Sequence, residues 1–270
     1  MQPGARFAIG NDLGYAVNRE GDGVRRGGIE LYIGNIGRAM DHEATEIFDV
    51  TCRGGDRFAM VYDSIVQGSL LLEASASSVD VTLMHAVPPR TRRVAMTDER
   101  WYVASDAEVH VLVHRTDPAL DLIALDPIDI AASPTLLCVV EPRGLAWFDR
   151  DGRVVARRAL ASPTAAVYDV LADGWLVAAD GDVLQLATPT AEPVILARGV
   201  GLATRIRRDA NALYATTTDG ELVEVLGISD GPTSNAPRVV AAFAPGWTQF
   251  DARFELYIDE GGGPHRFVAD

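Results

Sequence analysis

The chain has 270 residues, 48% of them hydrophobic and 23% charged, which describes a folded globular protein and excludes a disordered one. Its formal net charge of −14 and pI near 4.7 oppose electrostatic attraction to nucleic acid or to an anionic membrane. No lysine occurs, so all 24 cations are arginine; Schiff-base and lysine-nucleophile chemistry are excluded, and the bias reads as GC-rich, bacterial-like coding.

The landmarks for a walk along the chain are the large residues opening each central strand: Tyr15, Phe58, Trp101, Leu136, Trp175, Leu213 and Phe254. Their spacings are 43, 43, 35, 39, 38 and 41 residues, a period of blade length held over six intervals. Seven units follow, at about 5–44, 45–90, 91–126, 127–162, 163–200, 201–244 and 245–270. The expected fold is all-β, a seven-bladed β-propeller of mostly four-stranded antiparallel blades in one domain.

In the first unit, strand 29–33 is followed by residues 35–45, which read as poor strand material. The second has an outer strand near 79–84. The third divides into 93–97, 100–105, 108–115 and 120–125; its strand Glu108-Val109-His110-Val111-Leu112-Val113-His114 alternates cleanly. The fourth divides into 128–131, 136–140, 145–148 and 153–158. The fifth and sixth are the most regular pair, each an apolar strand, an Asp-Gly turn and an alternating strand. Their turns, Asp180-Gly181 and Asp219-Gly220, lie 39 residues apart. Outer strands are expected near 194–197 and 239–243.

The seventh unit reads as 248–251, 253–258 and 265–268. Three-stranded first and seventh units are the favoured reading; the alternative leaves an unclosed blade edge open to strand addition.

Cys52 and Cys138 fall in apolar strands two units apart, too far to form a disulfide, which fits a reducing compartment. The amino-terminal residues show no signal-peptide pattern. The expected location is cytoplasmic, or secreted or periplasmic if a signal has been removed.

The Asp-Gly hairpins resemble the broad propeller repeats of the quinoprotein-like and WD40-like superfamilies. The resemblance is to the repeat and not to one family: the Trp-Asp and Gly-His pairs of WD40 repeats are absent. A kelch-like double glycine occurs once, at Gly54-Gly55. It implies the fold and leaves the function to particular residues.

Three apolar-Asp-apolar triplets, centred on Asp49, Asp129 and Asp169, fall on innermost strands 80 and 40 residues apart. Read as equivalent positions, they are candidate ligands for a channel Ca²⁺, as in calcium-dependent propeller lactonases. The competing reading pairs each with an arginine or a turn. His110 and His114, four apart on a strand, stand about 13 Å from each other and cannot share an ion. Asp149-Arg150-Asp151-Gly152 opens like an EF-hand loop but lacks its closing glutamate, so it reads as a hairpin turn. No nucleophile elbow, phosphate loop or Cys-x-x-Cys is present.

Trp247, Arg205 and Arg207 are the candidate partner-contacting residues. The leading expectation is a non-enzymatic interaction scaffold or regulatory subunit, without a cofactor. Its partner would be another protein, bound at a disc face or an unclosed edge, with no nucleic acid or membrane involved. The alternative is a Ca-dependent, lactonase-like hydrolase with a carboxylate-lined channel.

Overall fold

The computed structural model describes backbone over residues 7–9, 14–19, 28–33, 36–40, 46–53, 57–64, 67–75, 80–112, 120–209, 212–228, 236–242, 250–251, 256–258 and 264–266. Side chains are described over 48–51, 57–64, 67–75, 80–112, 120–208, 212–228 and 236–239. Trp247, His42 and His114 lie outside these residues, as do the side chains of Cys52 and His265. No helix among the described residues is long and apolar enough to cross a membrane.

The described strands form seven sheets in chain order, six of four strands and the last of three, each a simple antiparallel meander. The first strands of the first six sheets are Phe7–Ile9, Glu46–Arg53, Arg93–Met96, Asp129–Ala132, Pro163–Asp169 and Ala203–Asp209. From the first sheet to the sixth, each of these strands lies against the one after it, so they are innermost and the fourth strands form the rim.

The first sheet departs from expectation. Ile36–Met40 pairs along Gly28–Ile33 as a fourth strand, so this unit is not three-stranded. Its composition, Ile-Gly-Arg-Ala-Met, has low strand propensity, and pairing with a formed neighbour overrides that. The seventh sheet has the three strands Phe250–Asp251, Leu256–Ile258 and Pro264–Arg266.

Central strands read as continuous apolar runs because both faces are covered. In Gly174–Ala179, every residue is buried. Trp175 and Val177 face Cys138 and Trp147 of the fourth sheet, while Leu176 and Ala178 face Ile206 and Leu213 of the sixth. The same division recurs between the second and third sheets (Leu71, Leu83 against Trp101, Leu112) and the third and fourth (Tyr102, Val109 against Val139, Phe148). Sheet stacking, not any one hairpin, makes the core. Cys138 sits in it as a free buried thiol, its pKa pushed up by burial.

The two Asp-Gly turns that look alike in sequence differ in geometry. Asp180 (φ 52°) and Gly181 (φ 80°) form a two-residue loop between Ala179 and Asp182, with positive φ at both positions. In the other, only Gly220 (φ 81°) is left-handed, and its N–H donates to the Thr217 carbonyl at 3.0 Å. That is a longer loop with glycine at its left-handed position.

Tyr102 is fully buried, and burial raises its phenol pKa to about 12 against the smaller opposing pulls of Thr97 and Arg100. The unfolded chain therefore releases this proton first, and stability falls as pH rises from about 10 towards the folded value. Tyr102→Phe removes that component. Unfolding free energies measured across the alkaline range will show a shallower slope for the variant; matching slopes would contradict the assignment.

Candidate functional site

The innermost strands can be aligned through the large residue near the start of each second strand. Phe58, Trp101, Leu137, Trp175 and Leu213 pair with Cys52, Met96, Ala132, Tyr168 and Arg208. Three residues further along each second strand, the innermost partners are Asp49, Arg93, Asp129, Ala165 and Arg205 in sheets two to six. One level of the axis thus carries acid, base, acid, alanine and base.

These side chains bond to one another. Arg205 Nη2 donates to Asp49 Oδ1 at 2.7 Å, joining the sixth sheet to the second across the space the innermost strands enclose. Arg93 Nε donates to Asp129 Oδ1 at 3.2 Å, joining neighbouring sheets three and four. Each carboxylate also stitches the backbone of the next sheet. Asp49 Oδ2 accepts Val94 N–H at 3.0 Å, and Asp129 Oδ2 accepts Ala166 N–H at 3.2 Å.

The electrostatics follow from this crowding. Arg93 has its pKa lowered first by the positive charge of Arg205 and then by burial, against the pull of Asp129 and Asp49. Asp129 is raised by burial, which Arg93 and Arg205 oppose without overcoming. Arg205 is raised, because Asp49 and Asp129 together outweigh its burial.

Asp169 does not share this level. It pairs with Gly174, one residue before Trp175, so its register equivalent in the sixth sheet is Asp209. Four residues beyond the level of Ala165, it stands about 13 Å along the strand. There it accepts Arg208 Nη1 at 3.2 Å and Leu171 N–H at 3.0 Å. The 40-residue gap from Asp129 misleads because Asp169 ends its strand, whereas three strand residues follow Asp129. The three aspartates do not converge. The calcium reading loses its common site, and Asp49 and Asp129 already receive protein donors on both oxygens. Among the described residues, no group of three or more His, Cys, Asp or Glu could hold a metal.

Arg205, a candidate partner-contacting residue, points into the axis with its side chain 22% exposed. Arg207 is half-buried opposite Tyr214. His110 bonds Glu108 through Nε2 at 2.9 Å. Asp149 closes its hairpin by accepting the N–H groups of Asp151 and Arg153, both at 2.9 Å. That use of the carboxylate agrees with the turn reading.

Sequence reasoning missed two features. Glu73, only 1% exposed, binds Arg57 Nε at 2.7 Å, and Arg57 Nη1 reaches the Asp98 carbonyl of the third sheet at 2.9 Å. An acid between Leu72 and Ala74 in an apolar strand was the available signal. The second is the turn 170–173, where Val170 and Leu171 are 60% and 58% exposed. The turn is held by the Asp169–Leu171 bond and by the Tyr168 hydroxyl donating to Asp173 Oδ1. Tyr168 is anchored edge-on against Trp175, with ring centroids 5.4 Å apart.

No protein-family model matches this chain, and no curated protein matches it. Among solved structures it is similar to a chain in a mitotic checkpoint complex, with TM-score 0.65 and 11% identity over 97% of this chain and 82% of that one. It is similar to the computationally designed Ika8 protein, with TM-score 0.58 and 12% identity over 96% and 81%. Human WBSCR16 matches with TM-score 0.54 and 14% identity over 87% and 81%. At these identities the likeness is one of fold. The chain is an all-β, propeller-like protein.

Proposed function

We propose that this protein is a non-enzymatic interaction scaffold, or the regulatory subunit of an assembly, that engages a protein partner through the turn 170–173. The observation carrying this reading is the exposure of two adjacent aliphatic side chains on a turn fixed from both ends. Scattered exposed apolar residues are ordinary, but a contiguous pair on a rigid support is the form of an interface anchor. Ordering this turn on binding costs little, because its hydrogen bonds already exist in the free protein. A similar fold within a mitotic checkpoint complex supports use of this architecture in assemblies.

The test is the double variant Val170→Glu/Leu171→Glu, with Val239→Glu as a rim control, since Val239 is also 51% exposed. Protein purified from its native cells at low salt is expected to migrate with a partner in stoichiometric amount. The double variant should lose that partner by more than tenfold, while the rim control and both melting temperatures stay unchanged. Retention of the partner by the double variant would refute this face as the interface.

A further inference from the structure

The turn 170–173 joins the first two strands of the fifth sheet, and in an antiparallel meander the loop between strands three and four returns to the same end. On this end, the fifth sheet and its two neighbours therefore carry the loops 133–136, 149–153, 170–173, 187–193, 210–211 and 227–237. Their sequences contain five acids, Asp149, Asp151, Asp173, Glu192 and Asp230, and two cations, Arg150 and Arg153. Residues 210–211 and 229–235, which lie outside the described ones, contain no arginine or histidine, so they add no cation to that count.

The cations on this end already have acidic partners. Arg150 lies 3.5 Å from Glu99, and Arg153 lies 3.8 Å from Asp151. Of the arginines near the strand ends, Arg208 is bonded to Asp169 at 3.2 Å, and Arg207 is half-buried opposite Tyr214.

The apolar pair rests on a firm floor. Leu136, from the neighbouring turn, and Tyr168 pack partly buried against the cluster of Trp147 and Trp175. Next to Tyr168 in the chain, Val170 and Leu171 are left 60% and 58% exposed. Asp173, two residues beyond Leu171, is exposed as well. It takes the Tyr168 hydroxyl on Oδ1, which leaves Oδ2 without a partner among the described residues.

We infer that the turn 170–173 receives a protein segment in which aliphatic side chains adjoin arginine or lysine. The aliphatic groups cover Val170 and Leu171, and a cation pairs with Asp173 Oδ2. This rests on the turn being the interface proposed above and specifies the chemistry of what it binds. An acidic segment would meet like charges around the apolar centre, whereas a basic one is steered towards it.

Fluorescence anisotropy on the full chain tests this with three labelled peptides of equal length, a Leu-Arg, a Leu-Glu and an Arg-Gly repeat. The variants are Asp173→Asn and Val170→Ser/Leu171→Ser. Asparagine keeps an oxygen for the Tyr168 hydroxyl and tolerates the φ of 48° at this position, so the melting temperature should not change. The wild type is expected to bind the Leu-Arg peptide, more weakly as salt rises. Asp173→Asn should weaken that binding about threefold, as for an exposed ion pair. The serine variant should weaken it more than tenfold. No binding of the Leu-Arg peptide, or equal binding of the Leu-Glu or Arg-Gly peptide, would overturn the inference. Full binding by Asp173→Asn with loss in the serine variant would remove the cation and leave the turn as an interface. Full binding by the serine variant would show that the peptide docks elsewhere, and would also overturn the inference. The turn itself is judged by whether the native partner is lost from Val170→Glu/Leu171→Glu, so the two failures are told apart.

Discussion

Asp49→Ala is expected to lower stability by about 3–5 kcal/mol, the cost of leaving a buried charge without its partner. The carboxylate is 2% exposed and has two duties, the Arg205 guanidinium on Oδ1 and the Val94 N–H on Oδ2. Removing it strands both donors, the Val94 N–H within its buried strand and the Arg205 guanidinium at only 22% exposure. For a domain of this size the melting temperature should fall by roughly 10 °C. Arg238→Ala is the comparison, because Arg238 is 71% exposed and binds Glu224 at a similar 2.7 Å. An exposed pair contributes about 0–1 kcal/mol, so that variant should melt within a few degrees of wild type. Replacing both members, as Asp49→Leu/Arg205→Met, should recover part of the loss, since no unpaired charge remains. Equal effects of Asp49→Ala and Arg238→Ala in denaturant titrations would show that the axial pair braces nothing.

Gly144→Ala is expected to cost about 3 kcal/mol despite adding a single methyl group. The new Cβ would stand 2.0 Å from the Arg158 carbonyl oxygen, a backbone atom with no rotamer to escape into. The rim strand Val154–Ala159 must move or detach from Gly144–Phe148, where Gly144 faces Ala159. Hydrogen exchange should therefore accelerate first across that rim strand. Gly68→Ala is the control, with nothing within 4 Å of its Cβ position and only its φ of 74° against it. Its expected cost is about 1 kcal/mol. A Gly144→Ala protein as stable as the Gly68→Ala protein would mean that the two strands are not so closely apposed.

The fold was legible because blade period and alternation are properties of short segments. The rim strand of the fifth sheet, Val194–Ala197, agrees with its expected limits, and the four strands of the third sheet agree within a few residues. Ile36–Met40 was illegible for the opposite reason, its strand state coming from its neighbour and not from its own residues.

The candidate site was half legible. The triplets around Asp49 and Asp129 do mark one level of the axis, and pairing with arginine was one of the two readings open for them. Asp169 was drawn in by chain spacing, which counts residues and is blind to bulges and turn lengths. Pro163–Asp169 carries a register shift between Pro163 and Ala165, and Glu46–Arg53 carries one between Ile47 and Asp49. Each displaces the side-chain count by one. The partner of Asp49 lies 156 residues away, so no local pattern could have named Arg205. Val170 and Leu171 were equally hidden, because an apolar pair beside a strand reads as core until its exposure is seen.

The scaffold account is tested most directly by photocrosslinking from position 171 in native cells. A photoreactive residue replacing Leu171 should give one dominant adduct of constant mass, absent when the same residue replaces Val239. Both positions are over half exposed, so accessibility alone does not separate them. No adduct from position 171, or equal adducts from both positions, would contradict an interface on this turn.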